Sequence, residues 1–127
     1  MPGAERRAVL LVEDDPSIRA VVGECLRDEG YEVFEAADGG AAIAALRDRR
    51  PPPDSLGLVI LDMMLPVANG VQVLDALAGW GSYVPVLAVR ADRGQLRRAT
   101  DAGADDTLPK PYDLDQLLAV VERNCGG

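Results

Sequence analysis

The chain has 127 residues, 48% hydrophobic and 27% charged, so it can bury the core of one domain without disulfide or metal staples. A net charge of -8 argues against nucleic-acid binding by counterion release, and the lack of any histidine excludes Ser-His and Cys-His catalysis and histidine zinc sites. No apolar run reaches the roughly 18 residues of a membrane span and Met1 to Arg7 has no apolar signal region, so the expected location is the cytoplasm.

Ala8 to Val12 is a short apolar run with the length of a fully buried strand. Asp15 followed by Pro16 is a helix start, and the helix is expected to run to about Glu29 and stop at Gly30. Within it Ile18, Val21, Val22, Cys25 and Leu26 are spaced as one buried stripe. Tyr31 to Ala36 reads as a second strand. Asp38-Gly39-Gly40 punctuates the chain before a helix to about Arg49, which the prolines at 51, 52 and 53 end. Leu58 to Leu61 is the next buried run and leads into Asp62. Asn69-Gly70 precedes a helix marked by Val71, Leu74, Leu77 and Ala78.

Val84 to Val89 reads as a fourth strand, and Arg93 to Ala102 as a shorter helix closed by Gly103. Arg90, Arg93, Arg97 and Arg98 form a local basic cluster, read as a solvated helix face. Asp105 to Leu108 reads as a fifth strand. Asp113 caps a last helix in which Leu114, Leu117, Leu118 and Val121 share a face. Cys125 lies in the tail, and the two cysteines are not spaced for a metal site or disulfide framework. Strand and helix alternate five times, and continuously apolar strands imply a parallel sheet covered on both faces. With right-handed crossovers this is an α/β doubly wound fold: one domain spanning 1–127, core about 8–124.

In such folds the site lies beyond the carboxyl ends of the strands. Glu13 and Asp14 follow the first strand, Asp62 ends the third and Lys110 follows the fifth. In the flavodoxin-like strand order 2-1-3-4-5 these three carboxylates and one ammonium converge. Three clustered carboxylates repel, and Mg²⁺ (or Mn²⁺), a hard ion held by carboxylates, waters and phosphate oxygens, is the natural compensation. A carboxylate beside such an ion can attack phosphorus, while the metal and a lysine neutralise the transferring group. Each signal alone has a plainer meaning: an acidic pair after a strand is often a helix cap, and a lysine before a proline is often an exposed loop residue.

With these motifs the chain resembles the receiver domains of two-component response regulators, the CheY-like family. The resemblance covers essentially the whole chain and rests on V-E-D-D-P at 12–16, D-M-M-L-P-V-A-N-G at 62–70 and G-A-D-D-T-L-P-K-P at 103–111. It implies that Asp62 is the phosphoacceptor and that Glu13 and Asp14 are the metal-binding acidic pair, Asp14 directly and Glu13 through water. It further implies that Met64 offers its backbone carbonyl to the metal, with its side chain flanking the site. Lys110 is implied to pair with Asp62 and then with the phosphoryl oxygens, and its bond to Pro111 to be cis.

Two positions depart from the family pattern. Where the fourth strand ends, the usual Ser or Thr is replaced by Arg90, and on the fifth strand the usual Tyr or Phe is replaced by Thr107. Arg90 has three readings: a bidentate donor to the phosphoryl group, a partner of unmodified Asp62, or a solvent-facing residue. An inward-rotating ring at Thr107 is excluded, and Tyr112 is the nearest aromatic.

The leading functional expectation is a receiver phosphorylated on Asp62 by a histidine kinase or phosphotransfer partner. It signals through the surface of the 93–102 helix, the fifth strand and the last helix to a downstream protein, with no nucleic acid bound by this chain and with a homodimer open to it. The alternative is a pseudo-receiver that binds partners without phosphorylation, which the Arg90 and Thr107 replacements favour. An aspartate-based phosphatase is disfavoured because Met64 stands where its second acid would be. A flavodoxin is disfavoured because Glu13 and Asp14 would repel a flavin phosphate. On this reading the chain is not an enzyme.

Overall fold

Strands that are apolar at every position must be covered on both faces, and β1 (Ala8–Val12) and β3 (Leu56–Asp62) are buried at every residue. The computed structural model describes residues 7–49, 55–63, 70–79, 84–90, 104–109 and 112–125. β2 (Glu32–Ala36), β4 (Val86–Arg90) and β5 (Asp106–Pro109) complete one parallel sheet of order β2-β1-β3-β4-β5. This is the flavodoxin-like order expected. Over it pack α1 (Pro16–Asp28), α2 (Gly39–Arg47), α3 (Gly70–Ala78) and a C-terminal helix (Leu114–Cys125). The helix expected over 93–102 lies outside the described residues, as do the prolines at 51–53.

The core divides at the sheet because successive strand side chains point to opposite faces. On one face Leu10, Val12 and Leu61 meet Ala42 and Leu46 of α2 and Val73 and Leu74 of α3. On the other, Val9, Leu11, Leu58 and Ile60 meet Val22 and Leu26 of α1 and Leu117 and Val121 of the C-terminal helix.

Helix starts follow local side-chain chemistry. Asp15 Oδ1 accepts from the backbone N–H of Ser17 (2.8 Å) and Ile18 (3.2 Å), with Pro16 in the first turn. Asp38, within the punctuating Asp-Gly-Gly, turns out to cap α2 through the Ala41 N–H at 2.7 Å. Asp113 and Gln116 exchange reciprocal bonds of 2.7 and 2.9 Å at the start of the C-terminal helix, a capping box. α1 ends where Gly30 adopts φ 92. α2 stops at Arg47, before the expected Arg49, and Arg49 itself takes φ 57, a left-handed conformation usually left to glycine.

One expectation is corrected. The stripe Ile18, Val21, Val22, Cys25, Leu26 is not buried as a unit. Val22 and Leu26 are, but Val21 is 53% exposed and Ile18 and Cys25 are half-buried. The apolar arc of α1 is wider than the strip that meets the sheet. Burial pushes the Cys25 thiol pKa up, and the carboxylates of Glu29, Asp28 and Asp115 push it the same way, so the thiol is held in its unreactive form.

β5 is tied to the C-terminal helix through Asp106. Its Oδ2 accepts from Arg123 Nη2 (2.6 Å), Arg123 Nε (3.1 Å) and Asn124 Nδ2 (3.1 Å), and its Oδ1 from the Thr107 N–H (3.0 Å). Partial burial alone would raise the Asp106 pKa. The bonds from Arg123, Asn124 and Thr107 and the charge of Arg123 outweigh it and hold the carboxyl below its usual 3.8. A lowered folded-state value adds stability above about pH 4 that is lost as pH falls through that lowered value. Asp106→Asn is therefore expected to cost about 1 kcal/mol at pH 7, the pair being partly exposed, and the gap to wild type should close on acidification. Urea midpoints of both proteins across the acid range check this; a gap that persists unchanged at low pH would contradict it.

Candidate functional site

The sheet register builds the site. β1 and β3 run parallel with Val12 opposite Leu61, so Glu13 and Asp62, the next residues, leave the same edge side by side. Strand alternation puts both on the face of α1 and the C-terminal helix, continuing the rows Val9, Leu11 and Leu58, Ile60. The Glu13 N–H is held by Ala36 O of β2 at 3.1 Å, and the Met63 N–H by Val89 O of β4 at 3.3 Å, so both neighbouring strands fix the ends that carry the acids.

Glu13 is 5% and Asp62 3% exposed, and Asp14 is exposed beside them. One carboxylate oxygen from each lies within 4.8 Å of the other two. Glu13 Oε2 also accepts the Asp15 N–H at 3.1 Å. Two buried carboxylates and a third at this spacing repel in a medium that screens poorly, and charge of that kind is stabilised by a cation. The donors are all oxygen, the set that suits a hard divalent ion such as Mg²⁺ rather than a soft metal. The structure thus brings together three of the predicted site residues.

The remaining predicted residues divide. Thr107 is half-buried on β5 opposite Ala88, one row short of the Asp62–Val89 pairing. The backbone of Arg90 ends β4 opposite Pro109; its side chain lies outside the described residues. Met64, Lys110 and Pro111 also lie outside them, as do Arg93, Arg97 and Arg98. Tyr112 packs against the cluster between the sheet and the α1 and C-terminal helices. Sequence reasoning passed over Arg19, whose Nη1 donates to the Glu13 carbonyl at 2.9 Å. The available signal was an arginine in the first turn of a helix that directly follows an acidic pair.

Residues 9–122 match the response regulator receiver domain family. The chain belongs to that family. The receiver is 40% identical over 121 residues to the transcriptional regulatory protein KdpE of Mycobacterium tuberculosis, a match covering 91% of this chain and 51% of KdpE. It therefore spans about half the length of that relative. Among solved structures it is similar to the receiver domain of the sensor histidine kinase PA1611 from Pseudomonas aeruginosa (TM-score 0.83, 29% identity, 95% of this chain and 98% of that one covered), which has a magnesium ion in its active-site cleft. It is also similar to chemotaxis protein CheY4 of Vibrio cholerae (TM-score 0.79, 30% identity, 92% and 97% covered). The receiver is thus a two-component signalling domain rather than a classical enzyme. Among the described residues no helix is long and apolar enough to cross a membrane.

Proposed function

We propose that this receiver takes a phosphoryl group onto Asp62 from the phosphohistidine of a sensor kinase or phosphotransfer protein. The observation that carries the reading is the convergence of Glu13, Asp14 and Asp62 at the carboxyl edge of β1 and β3, with two of the three buried. A carboxylate oxygen of Asp62 attacks phosphorus, the P–N bond breaks, and its electron pair returns to the imidazole; the product is an acyl phosphate. Asp14 and Asp62 would hold Mg²⁺ directly and Glu13 through water, with the Met64 carbonyl completing the protein's share. When bound, the ion supplies charge neutralisation to the transferring group. Lys110 is assigned the partner role to Asp62 and then to the phosphoryl oxygens.

Incubation with Mg²⁺ and acetyl phosphate followed by intact mass tests the reading: one added phosphoryl group supports it. No addition, from acetyl phosphate or from a kinase, sinks it. That outcome would favour a receiver that binds partners without phosphorylation, the reading to which Arg90 and Thr107 point, since Arg90 lacks the hydroxyl and Thr107 lacks the ring that the usual switch has at those two positions. Phosphorylation adds about two negative charges, and the response is proposed to pass through β5 and the C-terminal helix to a protein partner.

The same cluster predicts a metal effect on stability. Mg²⁺ at about a hundred times its Kd is expected to stabilise the fold by about 2.7 kcal/mol, because it binds the folded site and not the unfolded chain. Thermal melts with Mg²⁺ and with sodium at matched ionic strength check this. An equal response to both would show that only ionic strength acts.

A further inference from the structure

We propose that Arg19 is a positioning residue that fixes the Glu13–Asp14 peptide unit and so aims Asp14 at the metal; this rests on the metal-binding reading of the cluster above. Arg19 sits in the first turns of α1 and its Nη1 donates to the Glu13 carbonyl at 2.9 Å. That carbonyl belongs to the peptide plane whose nitrogen is Asp14's, so holding it limits rotation of the plane from which the exposed Asp14 side chain departs. Glu13 itself is already held, by Ala36 O at its N–H and by the Asp15 N–H at its carboxylate. The bond from Arg19 is the hold on the far side of that residue.

The guanidinium is braced in turn. Its Nε lies 3.4 Å from Glu35 Oε1, and Glu35 Oε2 takes Arg27 Nη2 at 2.9 Å. Arg27 also donates to Val33 O at 3.0 Å. Glu35 is adjacent to Ala36 on β2, so one strand end grips Glu13 twice: directly through Ala36 O, and through Glu35 and Arg19. Gly23 makes room for this bridge across α1, since a Cβ there would meet Arg27 Nη1 and Glu35 Oε2 at 3.3 Å each. Arg19 is mostly covered, its side chain 21% exposed, which favours one fixed orientation.

The proposal predicts a sign that simple electrostatics does not. Removing a positive charge beside a cation site should tighten cation binding; removing a clamp should weaken it. Groups that orient metal ligands from behind typically contribute 10–100-fold in affinity. Mn²⁺ binding to the purified chain, followed by loss of the free-Mn²⁺ electron paramagnetic resonance signal at a temperature where every variant is folded, reads this directly. Arg19→Ala is expected to bind about tenfold more weakly than wild type. Arg19→Lys, which keeps the charge and one donor, should recover part of the loss. Arg27→Ala, which loosens the bridge without touching Glu13, should lower the melting midpoint and leave affinity near wild type.

Equal or tighter binding in Arg19→Ala overturns the clamp, as does an equal loss in Arg27→Ala, which would mean general loosening of α1. If Arg19→Ala does not fold, Glu35→Gln, which leaves Arg19 in place but unbraced, is expected to weaken binding severalfold, and unchanged affinity there overturns the proposal. No Mn²⁺ binding by wild type overturns the metal-site reading and the clamp with it. Binding by wild type that Arg19→Ala leaves intact overturns the clamp alone.

Discussion

Asp62→Asn is expected to reduce phosphoryl incorporation from acetyl phosphate to background, a loss on the order of a thousandfold or more in rate. An amide oxygen is a far weaker nucleophile than a carboxylate, while the shape of the side chain is kept, so the fold is not the cause of the loss. Two other carboxylates stand within 4.8 Å and are the only rivals within the cluster. Glu13 is buried and its Oε2 is engaged by the Asp15 N–H, whereas Asp14 is exposed. Intact mass before and after hydroxylamine, which cleaves acyl phosphates, decides the matter. A hydroxylamine-labile phosphoryl group that survives in Asp62→Asn would move the acceptor to Asp14, and Asp14→Asn in the same background would then remove it.

The second large effect concerns stability. Leu117→Ala is expected to cost about 2–5 kcal/mol, a sizeable part of the roughly 5–15 kcal/mol that holds a domain folded. Leu117 is fully buried where the C-terminal helix meets Val9, Leu11, Leu58 and Leu87 of the sheet. Val21→Ala is the matched contrast. It removes apolar atoms from a helix position equally apolar in pattern, but 53% exposed, and should change stability by no more than about 0.5 kcal/mol. Urea denaturation of the two variants separates them. A small effect at Leu117 would mean that the C-terminal helix is not part of the cooperative core.

That contrast shows where the sequence could be read and where it could not. β1 and β3 were legible because an unbroken apolar run in a chain of alternating elements has few other uses, and their place side by side came with the flavodoxin-like strand order. Glu13, Asp14 and Asp62 were legible for the same reason: they stand immediately after those runs, where a parallel sheet places its site. Val21 was misread because helical spacing reports which residues share an arc and not how far a neighbour covers that arc. Strand ends were off by one or two residues, as at Leu56 and Val86, because the ladder ends where a partner strand ends. Arg19 had only a faint signal, its place in the first turn after the acidic pair, because its bond to a backbone carbonyl and its pairing with Glu35 have no signature in the sequence. The pairing of Asp106 with Arg123 likewise has no signature in the sequence, because it is set by how the C-terminal helix crosses β5.

The pairing of β1 has a consequence for how the chain reaches this structure. Ala8 lies opposite Glu32 on one side and opposite Leu56 on the other. A nascent chain that has delivered β1, α1 and β2 can complete only the first of those ladders. The other edge of β1, a row of unpaired N–H and C=O groups on a strand whose side chains are all apolar, stays open until β3 emerges, and parallel pairing across such a separation is slow because loop closure precedes any gain from contact. For that interval the growing chain carries an unpaired hydrophobic strand edge, the feature most prone to capture by another chain. Vectorial synthesis thus makes the centre of the sheet, the most protected part of the finished domain, its most vulnerable part during translation.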